Sequence, residues 1–301
     1  MQPLVISSSG LSAYRRCPKS FQLQYEWGGS GLQYNGVPGY VTDGADFHMF
    51  AATAAKFYRG DKDLPEDYDD MQVNQAMYNV FSHWMGQRGQ KEFEAMREIL
   101  HVEEPILTPL AMGVVTHDQG GDPGLDVYLR TTFDLVYRDS DDWIVIRDYK
   151  TFEKMPSLDA DLDFQARGYI AAIMKKYHTR KVRFEHVYIR RVPPGTKNSR
   201  GFWSENECYV YAPIVIGADE AKRVWAEAQA TAEAIVRTRE LGGAHWWRTD
   251  LKGNSPFTCG SCFMKQPCKL EMETGELDLT TLELMNYVPR EKLELPKELV
   301  S

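Results

Sequence analysis

Four of the five cysteines are placed so that together they could bind one inorganic centre. Cys259, Cys262 and Cys268 follow one another as C-x2-C-x5-C near the C-terminus, and Cys17 stands near the N-terminus. Three thiolates in one loop form an incomplete site, because a structural metal ion or a cubane iron–sulfur cluster usually takes four soft ligands. Cys17 would complete the site and fasten the two ends of the chain together. Such a set suits zinc as well as iron, so the spacing alone leaves the metal open.

Two aspartates and a lysine form a second set with chemical potential. The segments 125–137 and 143–150 are rich in β-branched and aromatic residues and predict two strands joined as a hairpin. That register places Asp134 nearly opposite Asp148, and paired residues have Cβ atoms about 5 Å apart. Asp148 and Lys150 share a face because side chains alternate along a strand. Two carboxylates this close repel each other unless a cation lies between them, and hard oxygen ligands favour Mg²⁺ or Mn²⁺.

The alternative interpretation is a surface hairpin with scattered charge, because a bare D-x-K is common. The segment WIVIRDYK (143–150) is almost wholly apolar until its end, which indicates a central buried strand. Charges at the end of a buried strand are costly unless they are paired or used. We therefore expect a metal site at Asp134, Asp148 and Lys150.

Five other side chains suggest a functional role only when they are considered together with the expected metal site. Gln165 and Tyr169 are one turn apart on one face of a predicted helix. His48 is a single histidine among apolar neighbours, a setting typical of a core or surface residue. Glu103 and Glu104 open a predicted strand and would draw no comment in isolation.

Composition and charge limit the classes of protein to which the chain can belong. It has 301 residues, 43% of them apolar, and can bury a substantial core. We expect a cytoplasmic protein without membrane contact, because no apolar run of transmembrane length and no secretory signal is present. Cysteines in a reducing compartment favour metal ligation over disulfides, and Cys208 is interpreted as an ordinary buried thiol.

The net charge of −8 argues against a protein that coats nucleic acid non-specifically, because such affinity depends on many contacts from lysine and arginine to phosphate. A run of basic residues between 175 and 200 leaves two interpretations open. It is either a local track for a polyanion or, as is usual for charge runs, a solvated surface.

The order of predicted elements is helices, a strand meander, a helix, strands and a long helix, which suits an α/β or α+β sandwich. Helices are expected at 8–25, 43–58, 71–100, 160–177 and 217–241. Strands are expected within 101–117 and at 125–137, 143–150, 183–192 and 207–215.

Taken together, these motifs resemble the PD-(D/E)XK nuclease superfamily, and within it the RecB-type branch that includes the iron–sulfur, CRISPR-associated exonucleases. The resemblance covers about residues 8–270. The matching positions are, in chain order, the cysteine helix LSAYRRCPKSFQLQY, G-x3-H from Gly44 to His48, Glu103 or Glu104, Asp134, Asp148 with Lys150, Q-x3-Y at Gln165 and Tyr169, and C-x2-C-x5-C. One departure is Thr132, where relatives usually have glycine.

The resemblance implies a fold, a substrate and cofactors. The fold is α/β, a restriction-endonuclease-like central mixed sheet flanked by helices, with an iron–sulfur module joining the N- and C-terminal segments. The substrate is DNA, as single strands or duplex ends, and the reaction is metal-dependent exonuclease hydrolysis. The cofactors are Mn²⁺ or Mg²⁺ and a [4Fe–4S] cluster bound by Cys17, Cys259, Cys262 and Cys268.

The resemblance also implies roles for the site residues. The metal ligands would be His48, Glu103, Asp134, Asp148 and the Tyr149 carbonyl oxygen. Lys150 would orient or deprotonate the attacking water and offset charge on the transition state. Gln165 and Tyr169 would position the DNA strand or a second water.

We expect five segments along the chain. In order, they are an N-terminal helix of the iron–sulfur module (1–27), a helical region with His48 and a lid (28–100), the nuclease core (101–242), the cysteine loop (243–270) and a loosely held acidic tail (271–301).

Three rival hypotheses remain. The cysteines could hold zinc, in which case the protein would be colourless. The chain could also be a DNA-binding or repair-scaffold protein with a nuclease-like fold that does not cut. An electron-transfer protein is disfavoured, because the chain has no flavin or nucleotide fingerprint.

Overall fold

A computed structural model of the chain describes residues 3–35, 39–61, 74–114, 124–154, 164–199, 201–241, 246, 259 and 262–290. Contacts divide the chain into two units. The cysteine unit comprises Met1–Val37, Leu107–Arg130 and Trp225–Ser301, and the sheet unit comprises Pro38–Ile106 and Thr131–Val224.

Short strands and helices alternate along both units. The strands are β1 (Leu4–Ser7), β2 (Leu32–Tyr34), β3 (Glu98–Val102), β4 (Pro105–Val114), β5 (Leu125–Thr132), β6 (Leu135–Arg138), β7 (Ile144–Phe152), β8 (Val182–Arg190), β9 (Lys197–Asn198), β10 (Gly201–Phe202), β11 (Tyr209–Ile214) and β12 (Tyr287–Pro289). The helices are α1 (Ser8–Arg16), α2 (Pro18–Phe21), α3 (Gly39–Arg59), α4 (Gln75–Trp84), α5 (Gln90–Glu94), α6 (Phe164–Lys176), α7 (Glu205–Cys208), α8 (Ala218–Leu241), α9 (Lys265–Thr274) and α10 (Leu279–Leu284). Within the described residues, no helix is long and apolar enough to cross a membrane.

The sheet unit is built on a five-stranded mixed sheet in the order β11-β8-β7-β6-β3. β7 and β8 run parallel, with α6 between them in the chain, and the other neighbours are antiparallel. The expected mixed sheet flanked by helices is therefore confirmed. β7 lies in the centre, which explains why the segment before its charged end is apolar.

The two faces of this sheet bury separate apolar cores, because side chains alternate along β7. Val145 and Tyr149 pack with residues of α3, α4 and α5 on one face. Ile144 and Ile146 pack with residues of α6 on the other face. Packing on both faces therefore fixes the orientation of β7, including that of its polar end.

Arg147 is the charged exception within the buried part of β7. Its guanidinium donates to Glu92 and Glu185, each at 2.6 Å, and to the Tyr137 hydroxyl at 3.0 Å. The Arg147 side chain is only 5% exposed. A buried arginine is tolerated only when it is paired in this way, so this network locks β7 to α5 and β8.

In the cysteine unit, the N-terminal and C-terminal segments are in contact. β2 pairs antiparallel with β12 through Leu32 and Pro289 at one end and Tyr34 and Tyr287 at the other. Lys19 on α2 forms a 2.6 Å ion pair with Glu271 on α9. A separate three-stranded sheet has the order β1-β5-β4.

The helix expected at 8–25, with a bend or restart at Pro18, forms α1 and then α2, because Cys17 has the extended dihedral angles that a residue before proline favours. A predicted boundary further along the chain is wrong. The helix expected at 71–100 ends near Glu94, after a π-helical turn at Met85–Gly89, and β3 begins at Glu98. Pairing of β3 with β6 has overridden the helical propensity of MREIL.

Two further expectations are corrected. The strand expected at 125–137 is two strands, because the chain leaves the β5 sheet and joins the five-stranded sheet around Asp134. The tail after 271 is not loosely held as far as Arg290, since it forms the end of α9, then α10 and β12. In the segment 60–100, which was expected to hold a lid or clamp, residues 62–73 lie outside the described residues, and the remainder includes α4, α5 and the start of β3.

Candidate active site

The break between β5 and β6 presents Asp134 to the polar end of β7. Leu135 pairs with Arg147, so Asp134 lies next to Asp148 across the hairpin. The backbone N–H of Tyr149 donates to Asp134 Oδ2 at 2.7 Å. A short polar step between two strands therefore fixes this carboxylate against the adjacent strand.

The side chains of His48 and Glu103, which come from different elements, converge with that of Asp134. His48 comes from α3, and its Nδ1 lies 3.3 Å from Asp134 Oδ1. Glu103 directly follows β3, and one ligand atom each from His48, Glu103 and Asp134 lies within 4.8 Å of the others. One nitrogen and two carboxylate oxygens in this arrangement suit a divalent cation such as Mn²⁺.

The local charges are consistent with a cation at this point. Burial and the nearby Asp134 carboxylate raise the pKa of Glu103. Burial lowers the pKa of His48, but the hydrogen bond to Asp134 and the charges of Asp134 and Asp148 together outweigh burial, so the pKa is raised. The two carboxylates therefore repel each other, and a shared cation would relieve that repulsion.

The structure separates the roles of Glu103 and Glu104. Glu103 has a positive φ of 54°, and its N–H donates to the Phe133 carbonyl oxygen at 3.0 Å. Glu104 instead accepts from Arg59 Nη1 at 2.7 Å and contacts His101 Nδ1 at 3.2 Å. The carboxylate that joins His48 and Asp134 is thus that of Glu103.

Asp148 and Lys150 form a pair beside this cluster. Lys150 Nζ donates to Asp148 Oδ1 at 2.9 Å, and His186 Nδ1 lies 3.0 Å from Asp148 Oδ2. Burial lowers the pKa of Lys150, but the charge of Asp148, the hydrogen bond to it and the charge of Asp134 together outweigh burial and raise that pKa. Burial raises the pKa of Asp148, but the bonds from His186 and Lys150 lower it overall. Lys150 remains half exposed at 48%.

His186 is a site residue that sequence reasoning missed. It lies on β8 directly beside Asp148 in the parallel register, and it is only 6% exposed. The available signal was a histidine within the predicted strand at 183–192. That signal has meaning only when β8 is known to be the neighbour of β7.

The remaining predicted residues lie close behind the cluster. Gln165 Nε2 donates to the Tyr169 hydroxyl at 2.7 Å, and the Tyr169 ring packs edge-on against Phe133. Burial raises the pKa of Tyr169, so the phenol remains protonated. The Tyr149 side chain is buried in the core, and only its backbone faces Asp134.

A cleft of about 650 Å³ opens over the cluster. Its walls include His48, Glu103, Lys150 and Arg191. Glu103 and Lys150 are thus accessible from one side, as a site that acts on a large polyanion requires.

The cysteine unit brings an N-terminal segment to the C-terminal thiols. Ser20, three residues after Cys17, contacts Cys262 Sγ through its Oγ at 3.6 Å. Cys262 and Cys268 pack against a small buried cluster around Leu23. Cys208 lies apart in the sheet unit, where burial raises the pKa of its thiol to about 11.

Comparison with known proteins points to one superfamily. The family model of the PD-(D/E)XK nuclease superfamily matches residues 5–269. No curated protein matches significantly. Similar solved structures include SSO0001, with 11% identity over 92% of this chain and 89% of that one and a TM-score of 0.39. A candidate exonuclease from Eubacterium rectale has 10% identity over 91% of this chain and 94% of that one, with a TM-score of 0.45.

The family match spans the acidic cluster, by which we mean His48, Glu103 and Asp134, and it also spans the Asp148–Lys150 pair. The family assignment and the geometry therefore concern the same residues. A nucleic acid is the substrate that this family implies. The chain belongs to the PD-(D/E)XK nuclease superfamily.

Proposed function

We propose that this protein is a metal-dependent DNA nuclease that hydrolyses phosphodiester bonds with His48, Glu103, Asp134, Asp148 and Lys150. The observation that carries the proposal is the convergence of His48, Glu103 and Asp134 beside the Asp148–Lys150 pair, at the floor of an open cleft. Charged groups gathered at the end of a buried strand are costly to fold, so their presence favours a chemical role.

The donor set fits the metal that the family implies. His48, Glu103 and Asp134 would hold Mn²⁺ or Mg²⁺, with Asp148 and the Tyr149 carbonyl as further ligands. A bound divalent cation polarises the scissile phosphate and lowers the pKa of a coordinated water. The imidazole nitrogen favours Mn²⁺ somewhat over Mg²⁺.

The protein groups around this metal site would orient and stabilise the reacting atoms. Lys150, anchored by Asp148, presents its ammonium to the cleft and would offset charge on the phosphate as water attacks. His186 holds the other oxygen of Asp148 and would keep the carboxylate from rotating. Gln165 and Tyr169 would position the strand from behind.

The exonuclease mode is a finer proposal. It rests on the likeness of the motif series, cysteines included, to the RecB-type iron–sulfur exonucleases. End-labelled DNA distinguishes the modes, because an exonuclease releases the terminal label as mononucleotides or short products before internal fragments accumulate.

We propose that Cys17, Cys259, Cys262 and Cys268 bind a [4Fe–4S] cluster with a structural role. Support comes from the soft donor set and from the contact of Ser20 with Cys262, which brings the segment of Cys17 to the C-terminal thiols. Broad visible absorbance of anaerobically purified protein, with iron and sulfide in stoichiometric amounts, tests this. A colourless protein that contains zinc contradicts it.

The nuclease proposal is tested by digestion of end-labelled single-stranded and duplex DNA with Mn²⁺. We expect wild type to cut and the Lys150→Ala variant to lose about 10²-fold or more in rate, because one preorganised charge contributes several kcal/mol to the transition state. Lys222→Ala is the matched control, since that lysine is 78% exposed on α8 and pairs only with Asp219.

Two outcomes contradict the proposal. Cleavage that continues in excess EDTA would exclude the metal mechanism. Equal cutting by wild type and Lys150→Ala would exclude the assigned centre. Tight DNA binding with no cleavage in any divalent metal would support the second hypothesis, a DNA-binding or repair-scaffold protein.

A further inference from the structure

A second groove lies beside the ends of β7 and β8. Its volume is about 520 Å³. It is lined by Glu153, Lys154, Arg190, Arg191, Val192 and Trp203. None of these side chains belongs to the acidic cluster, so the groove is a separate feature of the sheet unit.

Arg190 fixes an aromatic ring in this groove. Its guanidinium carbon lies 3.7 Å from the centre of the Trp203 ring and 4.6 Å from that of Phe152. Its N–H groups donate to the backbone carbonyl oxygens of Glu153 at 2.7 Å and Glu207 at 3.2 Å. The Arg190 guanidinium thus lies against two rings, and its hydrogen bonds to carbonyl oxygens hold it and Trp203 in place. Because these acceptors are neutral, the positive charge of the guanidinium remains in the groove.

The charge of the groove opposes that of the protein. The chain carries −8 overall, whereas the groove has three cations, Lys154, Arg190 and Arg191, and one acid, Glu153. Lys154 is exposed to solvent. The adjacent hairpin residue Phe202 is also 69% exposed. Part of the Trp203 residue lines the groove, while the rest packs against the core on the α3 side of the sheet. Cations beside exposed aromatic surface are typical of a site that binds single-stranded nucleic acid.

The groove continues into the active-site cleft. Arg191 lines both cavities. Lys150 and Phe152 are two residues apart on β7, which is about 7 Å along a strand. A nucleic-acid strand bound in the groove would therefore extend toward Lys150.

We propose that this groove is a nucleotide-binding subsite for an unpaired strand, with one base stacked on Trp203 and adjacent phosphates bound by Lys154 and Arg191. The ligand that this subsite would recognise is a phosphodiester chain whose bases have free faces. A duplex cannot offer this, because its bases already stack on each other. Binding at this subsite does not require the proposed nuclease function. Only the biological use of the subsite rests on that function.

The test is equilibrium binding of fluorescein-labelled oligothymidylate to the full chain in EDTA, where no metal-dependent cleavage occurs. Trp203→Ala should weaken binding about tenfold, within the range that one stacked base provides. Binding to blunt duplex should change less than twofold. Phe57→Ala is the matched control, because Phe57 is 65% exposed on α3 outside the groove.

Two additional variants keep the test decisive if Trp203→Ala is unstable. Trp203→Phe should retain affinity but lose part of the tryptophan fluorescence quenching that DNA causes. Lys154→Ala should reduce the slope of log affinity against log salt by about 0.7, the loss of one phosphate contact on a single strand. Lys222→Ala should leave the slope unchanged.

Unchanged oligothymidylate binding by Trp203→Ala, or unchanged quenching by Trp203→Phe, would overturn the subsite. An equal loss on blunt duplex would do the same. The two proposals fail separately: binding through Trp203 without cleavage in Mn²⁺ refutes only the nuclease, and cleavage with unaltered Trp203→Ala binding refutes only the subsite.

Discussion

The acidic cluster and the cysteine region are positioned by different kinds of structure. Asp148 lies on β7 and Asp134 directly precedes β6, two strands whose register is set by backbone hydrogen bonds in a five-stranded sheet. Cys268 lies on the short helix α9 and Cys262 just before it, and side-chain contacts such as Lys19–Glu271 tie their segment to α2. Sheet register therefore positions the acidic cluster, whereas side-chain contacts position the cysteine region.

The comparison predicts that stability of the sheet unit depends on Arg147 rather than on metal. Arg147→Met should lower the free energy of unfolding by about 3–5 kcal/mol, because it leaves Glu92 and Glu185 without their buried partner. Denaturant unfolding of the full chain measures this. Arg223→Met, on the exposed surface of α8, should cost less than about 1 kcal/mol. Equal costs for both variants would refute the locking role of Arg147.

The two adjacent glutamates should behave very differently in catalysis. Glu103→Gln should reduce Mn²⁺-dependent cleavage about 10²-fold or more, because it removes a charged donor from the cation site. Glu104→Gln should reduce it less than about tenfold, since its contacts are with Arg59 and His101. A larger loss in Glu104→Gln than in Glu103→Gln would reverse the assignment.

Removal of one cysteine should damage the cysteine region without changing the acidic cluster. Cys17→Ser should abolish the visible absorbance and lower the free energy of unfolding by about 2–3 kcal/mol, because the cofactor would no longer close a very long loop. Cys208→Ser is the matched control, since Cys208 is buried in the sheet unit, and it should keep the colour. Retained absorbance in Cys17→Ser would remove Cys17 from the ligand set.

His186 should produce the smallest effect of the four. His186→Ala should raise the Mn²⁺ concentration for half-maximal cleavage about tenfold, because Asp148 loses the group that holds its Oδ2. His83→Ala, which loses only a contact to Tyr209, is the control. An unchanged Mn²⁺ requirement in His186→Ala would show that Asp148 needs no such support.

The sequence was most informative where one strand carries the signal. WIVIRDYK predicted both a buried central strand and its polar end, because a continuous apolar run with charges at its end is a local property of the sequence. The hairpin register that places Asp134 beside Asp148 followed from the turn between two such strands. These parts require no knowledge of distant residues.

The rest depends on packing that no local pattern contains. His186 joins Asp148 only through parallel pairing of β7 with β8, and MREIL becomes β3 only because β6 accepts it as a partner. Glu103 and Glu104 are indistinguishable by type, and a positive φ at Glu103 separates them. The contact of Arg190 with Trp203 likewise joins a residue of β8 to one that follows β10.

The central claim is that His48, Glu103 and Asp134 form a cation site needed for phosphodiester cleavage. Its most direct test is the rate of cleavage of end-labelled DNA against Mn²⁺ concentration for wild type and Asp134→Asn, with unfolding midpoints measured in parallel. We predict a saturable Mn²⁺ requirement in wild type and no cleavage in Asp134→Asn at an unchanged midpoint. Cleavage by folded Asp134→Asn at the wild-type rate and Mn²⁺ dependence would contradict the account.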